Sequence, residues 1–579
     1  MGFSDLGVFG GEINTPVLDK LALDGGVRFN QFYAAPACSP TRSMILSGTD
    51  NHLAGVGEMF EIVATNPHLR EKPGHEGHLS TKVAALPEIL SDAGYHTIIS
   101  GKWHLGLLPD VIPSKRGFQK SFSLLPGCAN HYGWEPQLTD EDEKELNPLF
   151  KSGAPSLHTE GDRYVPETEL PKNFYSTDFY ASKLIEYLNE VREENKTNDT
   201  KKPFFAYLPF TAPHWPLQAP RQLIDKYKGV YDEGPEVLRE KRLQRQKELG
   251  LIPQEVEAHP VVAPEVSEWG KLSDEQRKKS ARAMEAYAAM VESIDINVGR
   301  VLDDLKAKGE LDNTVVVFLS DNGAEGASLE AIPLLGESIE KHIAKFYNNS
   351  LENIGNHDSY VWYGPRWAQA ATAPSKLYKT FTSEGGIHVP FILSYPKIAE
   401  ELKGTIASQF STVMDLAPTF LELAGIPQPN PKNFRGKEVH PIRGKSWVKF
   451  LKNPNSVENI HDQDDTVGWG LFGGGALRKG DWKITFIRKP VGNETWGLFN
   501  IKNDPAELHD LSKQEPAKYQ ELLEEWKKYV AESQVVGLAN EWENVPINEI
   551  DDETLWMKYE RVNAYDIKKQ VKTGVPIKV

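Results

Sequence analysis

At 579 residues, with 39% hydrophobic and 25% charged residues, the chain holds enough apolar material for a large soluble core and exceeds one small domain. Its formal net charge of −17 argues against nucleic acid as a partner, and any anionic substrate must be met by cations gathered locally against a repulsive mean field. Cys38 and Cys128 are the only cysteines, which excludes a disulfide framework and suits a chain that does not depend on an oxidising compartment. No apolar run reaches transmembrane length, and Met1–Asp5 shows no basic-then-apolar leader, so no membrane partner, a cytoplasmic location and a monomer are the expectations.

In chain order, Val83, Leu86, Ile89 and Leu90 share one helical face and predict a helix near Thr81–Asp92, stopped by Gly94 and followed by a short strand, Tyr95–Ile99. A helix over Ala181–Val191 leads into an apolar strand, Pro203–Leu208. The charge-dense stretch Asp232–Gly250 reads as a solvated surface helix. Tyr287, Met290, Val291, Ile294, Val298, Val301, Leu302 and Leu305 form the stripe of a helix over Ala281–Lys306. That helix runs into Thr314–Leu319, an uninterrupted apolar strand of the kind buried on both faces. Such alternation predicts an α/β fold with a large mixed, mostly parallel sheet sandwiched by helices, over residues 1–435. From about residue 436 the texture changes. Trp482–Ile487 and Thr495–Phe499 read as antiparallel strands, and Pro516–Glu532 as a helix with Tyr519, Leu522, Leu523, Trp526 and Val530 inward. Residues 436–540 are thus expected to form a smaller α+β domain on an antiparallel sheet, and residues 541–579 a C-terminal extension without periodic signal.

Ligands in open α/β sheets bind beyond the carboxyl ends of the strands. Here Ile98-Ile99 is followed by Ser100-Gly101-Lys102-Trp103-His104, Phe204–Leu208 by Thr211-Ala212-Pro213-His214, and Val315–Leu319 by Ser320-Asp321-Asn322-Gly323. A lone strand-end His or Asp is more often a cap or turn residue than a catalyst. Three together, carrying cations, proton-transfer groups and hard oxygen donors, point to a site.

Cys38-Ser39-Pro40-Thr41-Arg42 taken alone is an ordinary loop entering a helix, with Cys38 a small buried apolar group. Together with Gly2–Gly7, Gly101–Gly106, Ala212–Pro216, Ser320–Gly323, Thr380–Ile387 and Gly480–Lys483, it resembles the signature of the type I, formylglycine-dependent sulfatases of the alkaline-phosphatase superfamily. Asn130–Gly133 and Tyr363–Trp367 resemble the bacterial-type arylsulfatases in particular.

The resemblance implies a chemistry. A maturation enzyme would oxidise Cys38 to formylglycine (3-oxoalanine), whose hydrate supplies the nucleophile against the sulfur of a small sulfate ester. Asp321, Asn322 and residue 38 would ligate a divalent cation, Ca²⁺ in preference to Mg²⁺, with Asp321 also activating the nucleophile. Arg42 would hold the hydrated aldehyde, and Lys102 and Lys379 the sulfate oxygens. His214, assisted by Lys379, would protonate the leaving oxygen, and His104 would take a proton from the second hydroxyl to release sulfate. These cations answer the −17 background. The aromatic run Tyr360–Trp367 would either wall the organic half of the substrate or pack at a domain contact.

Sulfatases carry a strand and two adjacent aspartates ahead of the position Met1 occupies, and those aspartates join Asp321 and Asn322 at the metal. The sequence therefore reads as a truncated gene model, and loss of that strand is expected to leave neighbouring strands unpaired around an apolar slot. Hydrolysis of phosphonate or phosphate esters on the same scaffold is the alternative activity. An inactive sulfatase-like binding protein is the alternative from another class.

Overall fold

The apolar runs of the first two-thirds become strands and the amphipathic runs the helices that cover them in the computed structural model, which describes residues 1–65, 69, 72–197, 201–264, 266–326, 336–457, 459–536, 563–574 and 577. One sheet joins β1 (Gly26–Phe29), β8 (Val316–Leu319), β9 (Phe391–Ser394) and β10 (Ile406–Ala407) in the order β10-β1-β9-β8. A second joins β3 (His96–Lys102), β4 (Lys120–Leu124), β5 (His158–Glu160), β6 (Arg163–Val165) and β7 (Phe204–Tyr207) in the order β6-β5-β4-β3-β7. β3 runs parallel to both β4 and β7, and β1 parallel to β10, while β9 is antiparallel to β1 and β8. A short parallel pair, β2 (Phe32–Tyr33) with β11 (Ser411–Thr412), leads into the segment that presents Cys38.

β7 and β8 end their sheets, and among the described residues each pairs along one edge only. Phe205, Tyr207, Val317 and Leu319 pack against one common core cluster, so the faces are covered and the edges are not. The strand over Thr314–Leu319 is therefore half-buried rather than fully buried, and it begins at Val316. Burial was read from composition, whereas an unpaired edge leaves backbone N–H and C=O groups outside the ladder.

Helices Ser176–Thr197 and Asp274–Ala307 pack against one another, the first also covering β3. The long helix starts before its apolar stripe because Ser273 and Gln276 form a capping box at its first turn. The helix predicted from Thr81 starts at Leu86, where Pro87 suits a first turn and would disrupt an interior. The Asp232–Gly250 stretch is a helix over Pro235–Glu248, but it is not merely solvated. Leu238, Arg239, Arg242, Leu243 and Gln246 are buried on one face, with Arg242 donating to Asp5 at 2.7 Å and to Glu12 at 2.8 Å. Two buried arginines in the apolar stripe made that face look polar in the sequence.

Antiparallel strands β12 (Thr466–Leu471), β13 (Gly474–Lys479), β14 (Trp482–Phe486) and β15 (Trp496–Asn500) form the C-terminal sheet. Helix Pro516–Ser533 covers it through Leu522, Trp526 and Tyr529. Lys483 of β14 is fully buried between Glu384 at 2.7 Å and Glu507 at 3.0 Å, tying this sheet to the helix Glu384–Ile387. Within the predicted extension, residues 541–562 lie outside the described residues. Ala564–Thr573 is a helix capped by Asn563, with Lys568 paired to Glu135 and Glu167. Three apolar positions, Ala564, Ile567 and Val571, were too few to register as a period. Among the described residues no helix is long and apolar enough to cross a membrane.

Candidate active site

The three strand ends and the Cys38 segment meet. Cys38 opens the helix Cys38–Ser47, whose residues are buried throughout. One turn along, Arg42 donates from Nε to Asp321 Oδ2 at 2.9 Å and from Nη1 to the Lys102 carbonyl at 2.6 Å. One guanidinium thus joins the Cys38 helix, the end of β3 and the end of β8. Lys102 is the last residue of β3 rather than part of the loop after it, and its N–H donates to the Pro209 carbonyl at 2.7 Å beyond β7. His104 follows with φ of 58°, a left-handed conformation that is strained for a non-glycine residue, and its N–H donates to the Leu125 carbonyl at 3.0 Å.

Behind β8, a Cβ on Gly323 would fall 1.8 Å from the Gly385 carbonyl oxygen, so only glycine lets the Asp321-Asn322 turn lie against the segment that carries Lys379. The Lys379 N–H donates to the Ala324 carbonyl at 3.0 Å, and its ammonium reaches both Glu325 and His214 Nε2, the latter at 3.2 Å. His214 Nδ1 faces the Trp215 carbonyl at 2.9 Å, which assigns the ring hydrogen to Nδ1 and leaves Nε2 to accept from Lys379. His131 Nε2 in turn holds the His214 carbonyl at 2.9 Å.

The electrostatics follow the geometry. Burial opposes ionisation of the Cys38 thiol, but the Lys102 and Lys379 ammonium groups and the neighbouring His104 ring more than offset it and bring its pKa well below the ordinary thiol value. Burial, then Lys379 and Lys102, lower the His214 pKa, so this imidazole is neutral near pH 7. Burial also works against the Lys379 charge, yet Cys38, Glu325 and Asp321 raise its pKa. The mobile proton of this pair therefore resides on Lys379.

Each residue singled out in the sequence falls in this cluster: Cys38, Arg42, Lys102, His104, His214, Asp321, Asn322 and Lys379. Sequence reasoning missed two acids. Glu325 accepts from Lys379 and lies 3.7 Å from His214, and its place in the run Ser320–Glu325 was a usable signal. Glu61 pairs with His104 from 43 residues away with no local signal. The aromatic run divides. Trp215, Tyr360 and Trp362 cluster beside His214, whereas Tyr363 stacks on Tyr287 at 4.5 Å and Trp367 packs on Tyr231 in the core.

Asn322 Oδ1 is buried without a hydrogen-bond partner, while Nδ2 donates to the Gly323 carbonyl at 2.7 Å. An orphaned acceptor beside the Asp321 carboxylate suits a hard cation, which takes oxygen ligands. Among the described residues no three His, Cys, Asp or Glu side chains converge as a metal cluster, so Asp321 and Asn322 are the oxygen donors that this part of the chain offers.

Helix-covered sheets thus present a buried thiol with Lys102, Lys379 and Arg42 around it and the oxygen donors Asp321 and Asn322 close by, a setting suited to binding an anion. The sulfatase family profile matches residues 1–426, and the C-terminal profile of N-sulphoglucosamine sulphohydrolase matches residues 376–535. The chain is 50% identical to an uncharacterized sulfatase of Schizosaccharomyces pombe over 94% of each chain. It is 37% identical to an arylsulfatase of Klebsiella aerogenes over 77% of this chain and 89% of the relative. Its fold is similar to that of Ps i-CgsB, solved with k-i-k-neocarrahexaose, with a TM-score of 0.61 at 23% identity over 96% and 95% of the two chains. The chain belongs to the sulfatase family, and hydrolysis of a sulfate ester is the activity that family membership carries.

Proposed function

We propose that this sulfatase cleaves aryl or alkyl sulfate monoesters in the manner of an arylsulfatase, with Cys38 converted to formylglycine. The observation that carries the reading is the setting of Cys38, buried at a helix start with the Lys102 and Lys379 ammonium groups and the His104 ring as its neighbours. The likeness to an arylsulfatase supports the substrate class. The converted, hydrated residue supplies an oxygen nucleophile for sulfur where a thiol would not.

The chain's own residues do the rest. Lys102 and Lys379 bind the sulfate oxygens and neutralise charge that grows there, in a site where burial strengthens each contact. Lys379 holds the proton that His214 Nε2 faces, so the pair delivers it to the departing oxygen. Arg42, fixed to Asp321 and the Lys102 carbonyl, keeps the ends of β3 and β8 in register around residue 38. His104 accepts the proton lost from residue 38. Asp321 and Asn322 would hold a divalent cation, Ca²⁺ in preference to Mg²⁺, which when bound adds positive charge against the sulfate.

The test is the mass of the peptide carrying residue 38 in protein made with a competent maturation system, alongside turnover of matched aryl sulfate and aryl phosphate esters. An aldehyde or its hydrate, with the sulfate turned over faster, is the expected result. A thiol retained at Cys38 in active protein sinks the formylglycine reading, and faster phosphate turnover sinks the substrate class.

A further inference from the structure

The geometry points to Glu61 as the positioning residue that fixes the tautomer of His104, leaving Nδ1 as the nitrogen that takes a proton from residue 38. The inference rests on the roles proposed above for residue 38 and His104. Glu61 lies on the short helix Phe60–Thr65, and its side chain is 6% exposed. Both carboxylate oxygens face a single imidazole nitrogen, with Oε1 3.1 Å and Oε2 3.3 Å from Nε2. An ionised carboxylate only accepts, so the hydrogen of the neutral ring sits on Nε2 and the lone pair on Nδ1. Burial alone would raise the Glu61 pKa, but its pairing with His104 holds it below the ordinary value, so the carboxyl is ionised and only accepts.

Nδ1 is buried without a hydrogen-bond partner, and Cys38 engages the same ring. With Nε2 committed to Glu61, Nδ1 is the nitrogen left for residue 38.

Two glycines make the pairing tight. A Cβ on Gly127 would lie 2.8 Å from His104 Nε2 and 3.0 Å from Glu61 Oε1, and one on Gly153 would lie 2.8 Å from Glu61 Cγ. Neither has a positive φ, so close approach to the pair, not backbone conformation, is what requires glycine at these positions. Cys128 joins the two segments, its N–H and Sγ both donating to the Gly153 carbonyl, at 2.9 and 3.2 Å. The second cysteine of the chain thereby clamps the acid–imidazole pair. When residue 38 gives up its proton, its O–H bond breaks, the proton bonds to Nδ1, and the electron pair stays on oxygen. The imidazolium so formed is neutralised by the Glu61 carboxylate, which keeps its own charge.

Glu61→Gln is isosteric and removes the charge. In histidine-selective ¹⁵N-labelled protein with residue 38 left as the thiol, wild-type His104 is expected to carry its hydrogen on Nε2, its signal being identified by loss in His104→Ala. Glu61→Gln is expected to move that ring toward the Nδ1-protonated tautomer. This readout is independent of conversion at residue 38, so the tautomer and the sulfatase chemistry fail separately. In converted enzyme, Glu61→Gln is expected to lower kcat about 100-fold with KM within about threefold, the signature of a weakened proton transfer. In a His104→Ala background it is expected to cost nothing further, because a group that acts through His104 has nothing left to act on. Hydrogen on Nδ1 in the wild type, kcat kept within about twofold, or an equal loss in the His104→Ala background would each overturn the proposal. Should Glu61→Gln not fold by circular dichroism, the wild-type tautomer decides alone.

Discussion

The two halves of the active site are finished to different degrees. In the cationic half three groups are braced: Arg42 spans three segments, Lys379 is held between Glu325 and His214, and His104 lies against Glu61. The oxygen-donor half at the end of β8 offers Asp321, already shared with Arg42, and Asn322 with an unpartnered Oδ1. β8 and its counterpart β7 are also half-buried, each with one edge unpaired among the described residues. A braced set of cations receives an anion without rearranging, whereas two unbraced oxygens would depend on a bound cation to fix their geometry. The contrast teaches that anion binding and cation dependence should separate on mutation.

The largest effect is expected at the point both halves share. Cys38→Ala should lower aryl sulfate turnover by about 10⁴-fold or more with the fold retained by circular dichroism, since it removes the residue proposed to supply the nucleophile. Within the braced half, Lys379→Ala should cost about 10²- to 10³-fold in kcat/KM, a loss that added Ca²⁺ does not restore. In the sparse half, Asn322→Ala should weaken the apparent affinity for Ca²⁺ by about tenfold or more, and excess Ca²⁺ should recover turnover. If the Lys379→Ala loss were recovered by Ca²⁺, or the Asn322→Ala loss were not, the two halves would not be separable as described.

The smallest effect on turnover is expected from a buried acid outside both halves. Burial pushes the Glu58 carboxyl up from 4.5 to about 8, against the opposing pull of the Phe472 N–H and Arg488. Its folded pKa exceeds its unfolded one, so its stabilising contribution is complete below pH 4.5 and is lost as pH rises through about 8. Glu58→Gln should therefore raise Tm by about 2–4 °C near pH 9, change it less near pH 5, and leave kcat unchanged. A change in kcat instead would place Glu58 within the cationic half.

Much of the site was legible because strand ends announce themselves. Lys102, His104, His214, Asp321 and Asn322 each follow an apolar run closely, and the chain path alone brings such ends to one rim. The C-terminal sheet and its helix were legible for a similar reason, since alternation and helical periodicity are local. Glu61 was not, because its partner lies 43 residues away and neither neighbourhood carries a motif for the pair. The helix Pro235–Glu248 was misread for a related reason. Arg239 and Arg242 are buried by acceptors on remote segments, Arg242 by Asp5 and Glu12 and Arg239 by the carbonyls of Pro374 and Ser375.

What the sequence determined by itself, then, is the family, the order of the elements and the identity of the groups around residue 38. The family and the roles of Arg42 and Lys379 followed from the resemblance, and the elements and strand-end groups from residue type and spacing along the chain. The tertiary structure decided what faces each nitrogen of His104 and His214, where the mobile proton rests between Lys379 and His214, and which strand edges stay unpaired among the described residues. Those properties belong to contacts between segments far apart in the chain. A tautomer, a shifted pKa or an open edge is set by the group that arrives opposite, and no local pattern records its arrival.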